Sequence, residues 1–213
     1  MDTNKIKRFA TEARNILKTG IAAKIMTLGF DRKGNVAEEH RPQLMQGGTL
    51  WNGKLYTEGF YHQWMSLFNR VQQKGINEVY EEAAYTWFNR FIALRFMEVN
   101  GYLPTRVRVF TDEENNFKPQ IIDEALHLDL DGLNMDKVYE FKNANQTEEL
   151  YKYLLITQCN ALNSVLPGMF QRISDYTELL LPDNLLREGS VIEQMISLIP
   201  EEDWQDAVQI IGW

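Results

Sequence analysis

Three residues near the middle of the chain have the types and order that metal-dependent nucleases use. Asp131 is followed by Glu140 and Lys142, which form a Glu-x-Lys triplet. In such nucleases two carboxylates hold magnesium and the lysine steadies the water that attacks phosphorus. The flanking segments have the patterns of helices and loops, whereas that site requires a mixed sheet. We therefore keep a metal-dependent nuclease only as the less favoured alternative.

Five basic residues are candidates for contacting the phosphates of DNA. Lys7, Arg14 and Lys18 recur along one side of a predicted N-terminal helix, and Arg106 and Arg108 lie on a segment of alternating polarity. The net charge is −8, but the first 33 residues hold eight Lys and Arg against three Asp and Glu. A DNA contact is therefore expected to be local, made first by the helix and second by Arg106 and Arg108. The alternative for the helix is an ordinary solvated face.

Other common chemistry is absent from the sequence. The single cysteine, Cys159, lies in an apolar helical pattern, which is typical of a buried and inert thiol. One cysteine and three histidines cannot form a closed zinc site without carboxylates. The prolines are never adjacent and no glycines are spaced as Gly-x-Gly, which excludes the Asp/Asn-Pro-Pro-aromatic loop and the Gly-rich cofactor turn of a base methyltransferase. We therefore expect no catalytic residue, no metal ligand and no cofactor in this chain.

The composition is that of a folded protein outside the membrane. Hydrophobic residues make up 44% of the chain and aromatic residues 12%, which is enough for a sizeable core. No stretch approaches the roughly 18 apolar residues that a membrane span needs, and the first predicted helix carries charges where a signal peptide is apolar. We therefore expect a cytoplasmic protein that makes no membrane contact.

The periodicity of apolar residues predicts a mainly α, multi-helix domain over residues 1–213. The first helix starts at Thr3, and a second ends near Gly75. A small β-hairpin or extended excursion is expected near 48–56, because Asn52-Gly53 is a signature of a two-residue hairpin turn, and near 106–110.

A nearly continuous apolar helix is expected at the centre of the chain, over residues 76–101. Arg95 and Glu98 on it are spaced for an ion pair within the core. A short helix is predicted over Gln120–Leu128, and a capping box of Asn145 with Glu148 is predicted to open a long helix. Short helices follow.

The last forty residues are strongly acidic. From Ile173 to the end of the chain there are nine Asp and Glu against one Arg. Such a segment suits a basic protein surface, so the second function class is an interaction module that docks a partner without touching DNA. The apolar run 208–213 predicts that more chain follows, because such a surface normally needs a cover.

Three segments carry a resemblance to a known family. Ala84–Leu103, Leu155–Asn163 and Asp175–Leu186 resemble, in this order, the N-terminal region of the PglX family, and the similarity continues through Glu201–Trp204 to the end of the chain. That family comprises the adenine-specific DNA methyltransferases of type 1 bacteriophage exclusion (BREX) systems.

The resemblance implies that this chain is a noncatalytic N-terminal part of a longer enzyme. Such enzymes methylate N6 of adenine with S-adenosylmethionine at a short asymmetric site, mark host DNA and act in phage defence. Their cofactor and catalytic motifs lie downstream, so no catalytic residue is carried over. The implied partners are the rest of the methyltransferase chain, DNA, other phage-exclusion proteins and phage-encoded inhibitors. By analogy with restriction-type methyltransferases, a helical N-terminal region would pack on the catalytic domain and contact DNA or a partner.

Overall fold

The computed structural model describes residues 3–170 and 176–205 of the chain. In this part the fold is mainly α with one small antiparallel sheet, which confirms the predicted class. The helices and strands, in chain order, are α1 (Thr3–Thr27), β1 (Gln43–Met45), β2 (Gly48–Trp51), β3 (Lys54–Tyr56), α2 (Glu58–Lys74), α3 (Ile76–Val99), α4 (Gln120–Asp123), α5 (Met135–Asn143), α6 (Thr147–Ala161) and α7 (Val191–Leu198). Single 3-10 turns lie at Glu38–His40, Leu162–Ser164, Glu178–Leu180 and Glu201–Trp204.

The described residues form two compact units. The first unit contains residues 3–16, 88–170 and 184–205, and the second contains 17–87 and 176–183. Helices α1 and α3 each contribute residues to both units. The expectation of a single domain over residues 1–213 stays a prediction.

The sheet belongs to the second unit and has the order β1-β2-β3. Asn52 and Gly53 have φ of 48° and 73°, and they close the turn that pairs Trp51 with Lys54. Positive φ at both central residues is the two-residue hairpin geometry that matches strand twist. The predicted hairpin is therefore confirmed. Strand β1 was not predicted, since its three residues are all exposed and show no alternation.

Tryptophans organise the core of the second unit. Trp64 is fully buried, packs against Phe30 and Phe68, and donates its indole N–H to the Leu28 carbonyl at 2.9 Å. Trp87 is likewise buried and donates to the Thr177 carbonyl at 3.0 Å. A buried indole that satisfies a loop carbonyl supplies apolar area and also fixes the path of irregular backbone.

A cluster of charged and polar side chains connects three segments of the second unit. Arg70 on α2 donates from Nε and Nη2 to the two oxygens of Glu82, and the Tyr176 hydroxyl donates to Glu82 Oε2 at 2.9 Å. These hydrogen bonds, with those from Arg70 the largest cause, hold the pKa of Glu82 below its ordinary value. The carboxylate therefore ties α2 to α3 and to the segment at Tyr176.

In the first unit a buried ion pair organises irregular chain. Arg95 Nη1 lies 2.8 Å from Glu98 Oε2, and neither side chain is exposed, which confirms the predicted pair. Glu98 Oε1 also accepts the backbone N–H groups of Phe110 at 2.7 Å and Thr111 at 3.2 Å. Arg95 Nη2 donates to Asn115 Oδ1 at 2.5 Å. One buried carboxylate thus satisfies a cation and two backbone donors.

Residues 106–110 do not form a strand in this unit. Arg106 is left-handed, with φ of 57°, and the N–H of Phe110 is bound to Glu98 and not to a neighbouring strand. Alternating polarity here follows from a loop that points some side chains into the core and others outward.

Three helix boundaries differ from the prediction. Helix α4 comprises only the four residues Gln120–Asp123 and does not reach Leu128. The capping box is wrong, because Asn145 has a φ of 53° and Glu148 instead accepts the N–H groups of Leu185 and Leu186. Helix α3 ends at Val99, and the left-handed Gly101 completes its end before Pro104 is reached.

Within the described ranges, none of the helices has both the length and the apolarity that crossing a membrane requires. The predicted apolar run 208–213 lies outside the described residues.

The first prediction concerns the buried carboxylate. We expect Glu98→Gln to lower the free energy of unfolding by about 3–5 kcal/mol, because it leaves the Arg95 charge uncompensated in the core. Chemical denaturation measures this, and the exposed Glu124→Gln serves as the control, with an expected change within about 0.5 kcal/mol. Equal and small effects of the two substitutions would show that the network does not stabilise the fold.

The second prediction concerns pH. The folded pKa of Glu82 is lowered, so its contribution to stability is present above the unfolded pKa and is lost as pH falls through the folded pKa. The difference in unfolding free energy between wild type and Glu82→Gln should therefore be largest near neutral pH and shrink below about pH 4. Glu78→Gln, at an exposed position of the same helix, is the matched control, with an expected change within about 0.5 kcal/mol. A pH-independent difference for Glu82→Gln would contradict this assignment.

Candidate nucleic-acid interface

The predicted basic residues of α1 differ in how exposed they are to solvent. Lys7 and Arg14 are exposed, and Lys18 is half-buried. Their spacing keeps all three on one side of the helix. Lys18 Nζ lies 2.5 Å from Glu81 Oε1, so this cation already has a carboxylate partner. Lys7 and Arg14 are therefore the residues of this group whose side chains face solvent.

Helix α1 also carries cations away from this side of the helix. Lys5 is exposed two positions before Lys7, and neither lysine forms an ion pair within the described part of the chain. Arg8, by contrast, binds Glu12 on the next turn at 2.9 Å. The N-terminal half of α1 thus carries several positive charges and one acid, Glu12, and such an excess of cations is what a local phosphate contact requires.

Arg106 and Arg108 line the same cleft of the first unit, about 270 Å³ in volume, together with Glu113 and Gln120. Arg108 is mostly buried and donates from Nε to Thr111 Oγ1 at 2.9 Å and from Nη2 to Glu201 Oε1 at 3.3 Å. It therefore holds the loop and the 3-10 turn together. Arg106 is exposed and forms no ion pair with the residues described, so it is accessible to a ligand from solvent.

The left-handed backbone of Arg106 is unusual for a residue with a long side chain. This conformation costs an L-residue about 1–2 kcal/mol. Its N–H donates to the Leu103 carbonyl at 2.9 Å, and the Val107 N–H donates to Thr105 Oγ1 at 3.3 Å. These bonds hold the turn in which Arg106 points outward.

Two turns that were not predicted from the sequence have the same arrangement of hydrogen bonds. In each, an aspartate and an asparagine four residues later frame a left-handed residue: Asp31, Gly34 and Asn35 in the second unit, and Asp112, Asn115 and Asn116 in the first. Each aspartate accepts two backbone N–H groups and the asparagine side chain. The signal that could have found them is Asp-x-x-Gly/Asn-Asn, because aspartate and asparagine both close such turns locally.

The nuclease alternative requires a geometry that these residues do not form. Asp131 lies in a turn, whereas Glu140 and Lys142 lie two positions apart on α5 and so point to different sides of that helix. Lys142 Nζ donates to the Ile122 carbonyl at 3.2 Å. Over residues 3–170 and 176–205, no group of three or more His, Cys, Asp and Glu is placed to hold a metal ion.

Much of the acidic segment from Ile173 onward is engaged within the chain. Residues 173–175 and 206–213 of it lie outside the described part. In the second unit Glu178 accepts from Gln63, and Asp183 pairs with Lys24 at 3.2 Å. In the first unit Glu201 pairs with Arg108. Docking of a partner by this segment stays a prediction.

The chain is similar over its whole length to adenine-specific methyltransferases. It is 36% identical over 219 residues to the adenine-specific methyltransferase BrxX of Escherichia coli O9:H4 (strain HS). It is 34% identical over 234 residues to the adenine-specific methyltransferase PglX of Lacticaseibacillus casei (strain Zhang). Both alignments include the whole of this chain, which spans only 18% and 19% of the two relatives. No protein-family model matches the chain.

Arg106 and Arg108, which line the same cleft, should differ in how much each contributes to the free energy of unfolding. Arg108→Ala is expected to lower the free energy of unfolding by about 1–3 kcal/mol, because Glu201 loses its cation and Thr111 loses one of its two arginine donors. Arg106→Gly should change it by less than about 0.5 kcal/mol, since relief of the left-handed strain offsets the greater freedom of glycine in the unfolded chain. Thermal or urea unfolding measures both, and a destabilisation at position 106 as large as that at 108 would show that Arg106 is structural.

Proposed function

Because this chain corresponds, over its whole length, to an N-terminal region of the PglX-type adenine-specific methyltransferases, we propose that it is a noncatalytic, DNA-contacting part of such an enzyme. The methyl transfer itself, from S-adenosylmethionine to N6 of adenine, is proposed to occur in the other part of the longer protein. In this proposal the enzyme marks host DNA and acts in phage defence.

The absence of methyltransferase motifs from the sequence supports the noncatalytic assignment. The six prolines are never adjacent, so the loop that grips a flipped adenine cannot be formed by these residues. Nor does any Gly-x-Gly occur for a cofactor turn. The chain's own contribution must then be binding and positioning.

The single observation that carries the DNA contact is the exposed basic side of α1. Lys7 and Arg14 face solvent on a long helix, and the carboxylates nearest in sequence include Glu12, which is engaged by Arg8. Exposed cations can replace counterions on a duplex, which supplies most sequence-independent affinity. Arg106 is a second accessible cation of the same unit.

Lys18 and Arg108 have a different proposed role. Each is bound to a carboxylate of the chain, so giving either residue to a phosphate would require breaking an existing pair. We therefore narrow the proposed phosphate contacts to Lys7, Arg14 and Arg106, with Lys18 and Arg108 supporting the fold. Arg14 is kept for its exposure alone, since it also interacts within the chain. The cytoplasmic location expected from the sequence is part of the same proposal.

The test is binding of the 213-residue chain to a labelled duplex across a salt series. Reversing Lys7, Arg14 and Arg106 to Glu should weaken binding and reduce the slope of log K against log salt by about 0.9 for each phosphate that the variant no longer neutralises. The matched control reverses three other exposed cations, Lys54, Lys74 and Arg187.

Equal weakening in the two variants would mean that only net charge matters and would overturn the proposed contact. No binding by the wild type at low salt would favour the docking module, in which the chain serves the rest of the methyltransferase or another phage-exclusion protein.

A further inference from the structure

The basic turn at Asp31–Asn35 is unusually well ordered for an exposed loop. Asp31 Oδ1 accepts the N–H groups of Lys33 and Asn35, both at 2.8 Å, and Asp31 Oδ2 accepts from Asn35 Nδ2 at 3.1 Å. The Asp31 N–H donates to the Asn35 carbonyl at 2.9 Å, and the Gly34 N–H returns to the Asp31 carbonyl. Every one of these bonds lies within five residues, so the tip has little conformational freedom to lose.

The same turn is fixed to the core of the second unit. Gln72 Nε2 on α2 donates to the Gly34 carbonyl at 3.2 Å. Gly34 sits so close to α2 that a Cβ would lie 2.6 Å from Val71 Cγ1, and its φ of 86° also favours glycine. Phe30, just before the turn, is buried beside Trp64. The backbone of the turn is therefore fixed by its contacts with α2 as well as by its own hydrogen bonds.

Two adjacent cations stand at the tip of this turn. Arg32 and Lys33 are exposed, and neither forms an ion pair in the part of the chain described. Three other cations of the second unit are engaged by carboxylates, in the pairs of Lys18 with Glu81, Lys24 with Asp183, and Arg70 with Glu82.

A second turn of the same chain has the same hydrogen bonds but acidic residues at its tip, so it serves as an internal comparison. Asp112–Asn116 has the same hydrogen-bond plan, yet its tip carries Glu113 and Glu114 in place of Arg32 and Lys33. The turn design therefore does not dictate the charge at its tip. A basic pair at one tip is a property of that surface and not a requirement of folding.

We propose that the Arg32–Lys33 tip is a second phosphate-backbone contact for duplex DNA, in addition to the exposed side of α1. This inference rests on the proposed DNA contact and names a further surface for it. Arginine offers a planar fork of donors to phosphate oxygens, and lysine offers a compact charge. Because the backbone beneath them is already ordered, binding loses less conformational entropy than it would at a mobile loop. Asp31 does not compete, since its oxygens are occupied by N–H groups inside the turn.

A contact with the phosphate backbone of DNA predicts how the binding affinity depends on the DNA sequence. Phosphate contacts position a protein and carry no base information, so the tip should contribute equally to duplexes of unrelated sequence. Two phosphate contacts should account for about 1.8 in the slope of log K against log salt.

The experiment compares Arg32→Gln/Lys33→Gln with Lys54→Gln/Lys74→Gln in the 213-residue chain. Both double variants remove two exposed positive charges from the same unit, and both leave Asp31, Gly34 and Asn35 intact. Fluorescence anisotropy with two labelled duplexes of unrelated sequence measures affinity from about 50 to 200 mM salt, and unfolding midpoints check that each variant is folded.

We expect the tip variant to reduce the salt slope by about 1.8 and to weaken binding to both duplexes by roughly tenfold or more at about 0.1 M salt, whereas the control stays near wild type. A tip variant that binds like wild type, while reversal of the α1 residues weakens binding, overturns this inference and leaves the proposed function standing. Equal weakening in the tip variant and the control also overturns it, because net charge alone would then explain both. A wild type that shows no salt-dependent binding removes the proposed DNA contact and this inference with it.

Discussion

The loop at Val109–Thr111 in the first unit depends on one buried carboxylate. Glu98 lies in the core on α3, and an ionised group there is tolerable only if it is fully hydrogen-bonded. It accepts Arg95 and the backbone N–H groups of Phe110 and Thr111, which have no strand or helix to bind them. The Tyr151 hydroxyl, on α6, donates to the neighbouring Val109 carbonyl at 2.7 Å, and burial, the largest cause, raises the pKa of Tyr151 well above its ordinary value. Side chains on two helices therefore satisfy the buried backbone groups of Val109, Phe110 and Thr111, where the loop passes through the core.

In the second unit, neutral side chains bind the backbone groups of irregular segments. Trp64 and Trp87 each direct an indole N–H to a carbonyl outside regular structure, and Trp51 does so to the His40 carbonyl at 3.0 Å. Such a side chain gives burial and a single hydrogen bond without the cost of removing a charge from water. In both units, side chains of regular elements fix irregular segments, and these segments carry the accessible cations Arg32, Lys33 and Arg106.

The sequence was most informative where one local signal decides the structure. The apolar spacing of α1, the Asn52-Gly53 turn and the Arg95–Glu98 spacing each depend on residues a few positions apart, and all three predictions are confirmed. The failures involve partners distant in sequence. Glu148 has the spacing of a capping residue, but it binds N–H groups near Leu185, about forty positions away. For the same reason the sequence could identify the basic candidates but could not show that Lys18 and Arg108 have carboxylate partners, since Glu81 and Glu201 are far along the chain.

Whether an acidic protein can bind phosphate depends on the exposure and carboxylate pairing of each cation, and less on the net charge. At physiological salt a charge is screened over about 8 Å, so a net charge of −8 spread over the chain does not prevent a local contact with phosphate. A cation already paired with a carboxylate brings that carboxylate along, and the pair is nearly neutral to an approaching anion. The positive charges best placed to meet a phosphate are those on the exposed side of α1, at Arg106 and at the tip of the Asp31–Asn35 turn. Because each is presented by backbone that is held by hydrogen bonds of its own, each charge keeps a fixed position on its own unit, where the regularly spaced phosphates of a duplex can meet it.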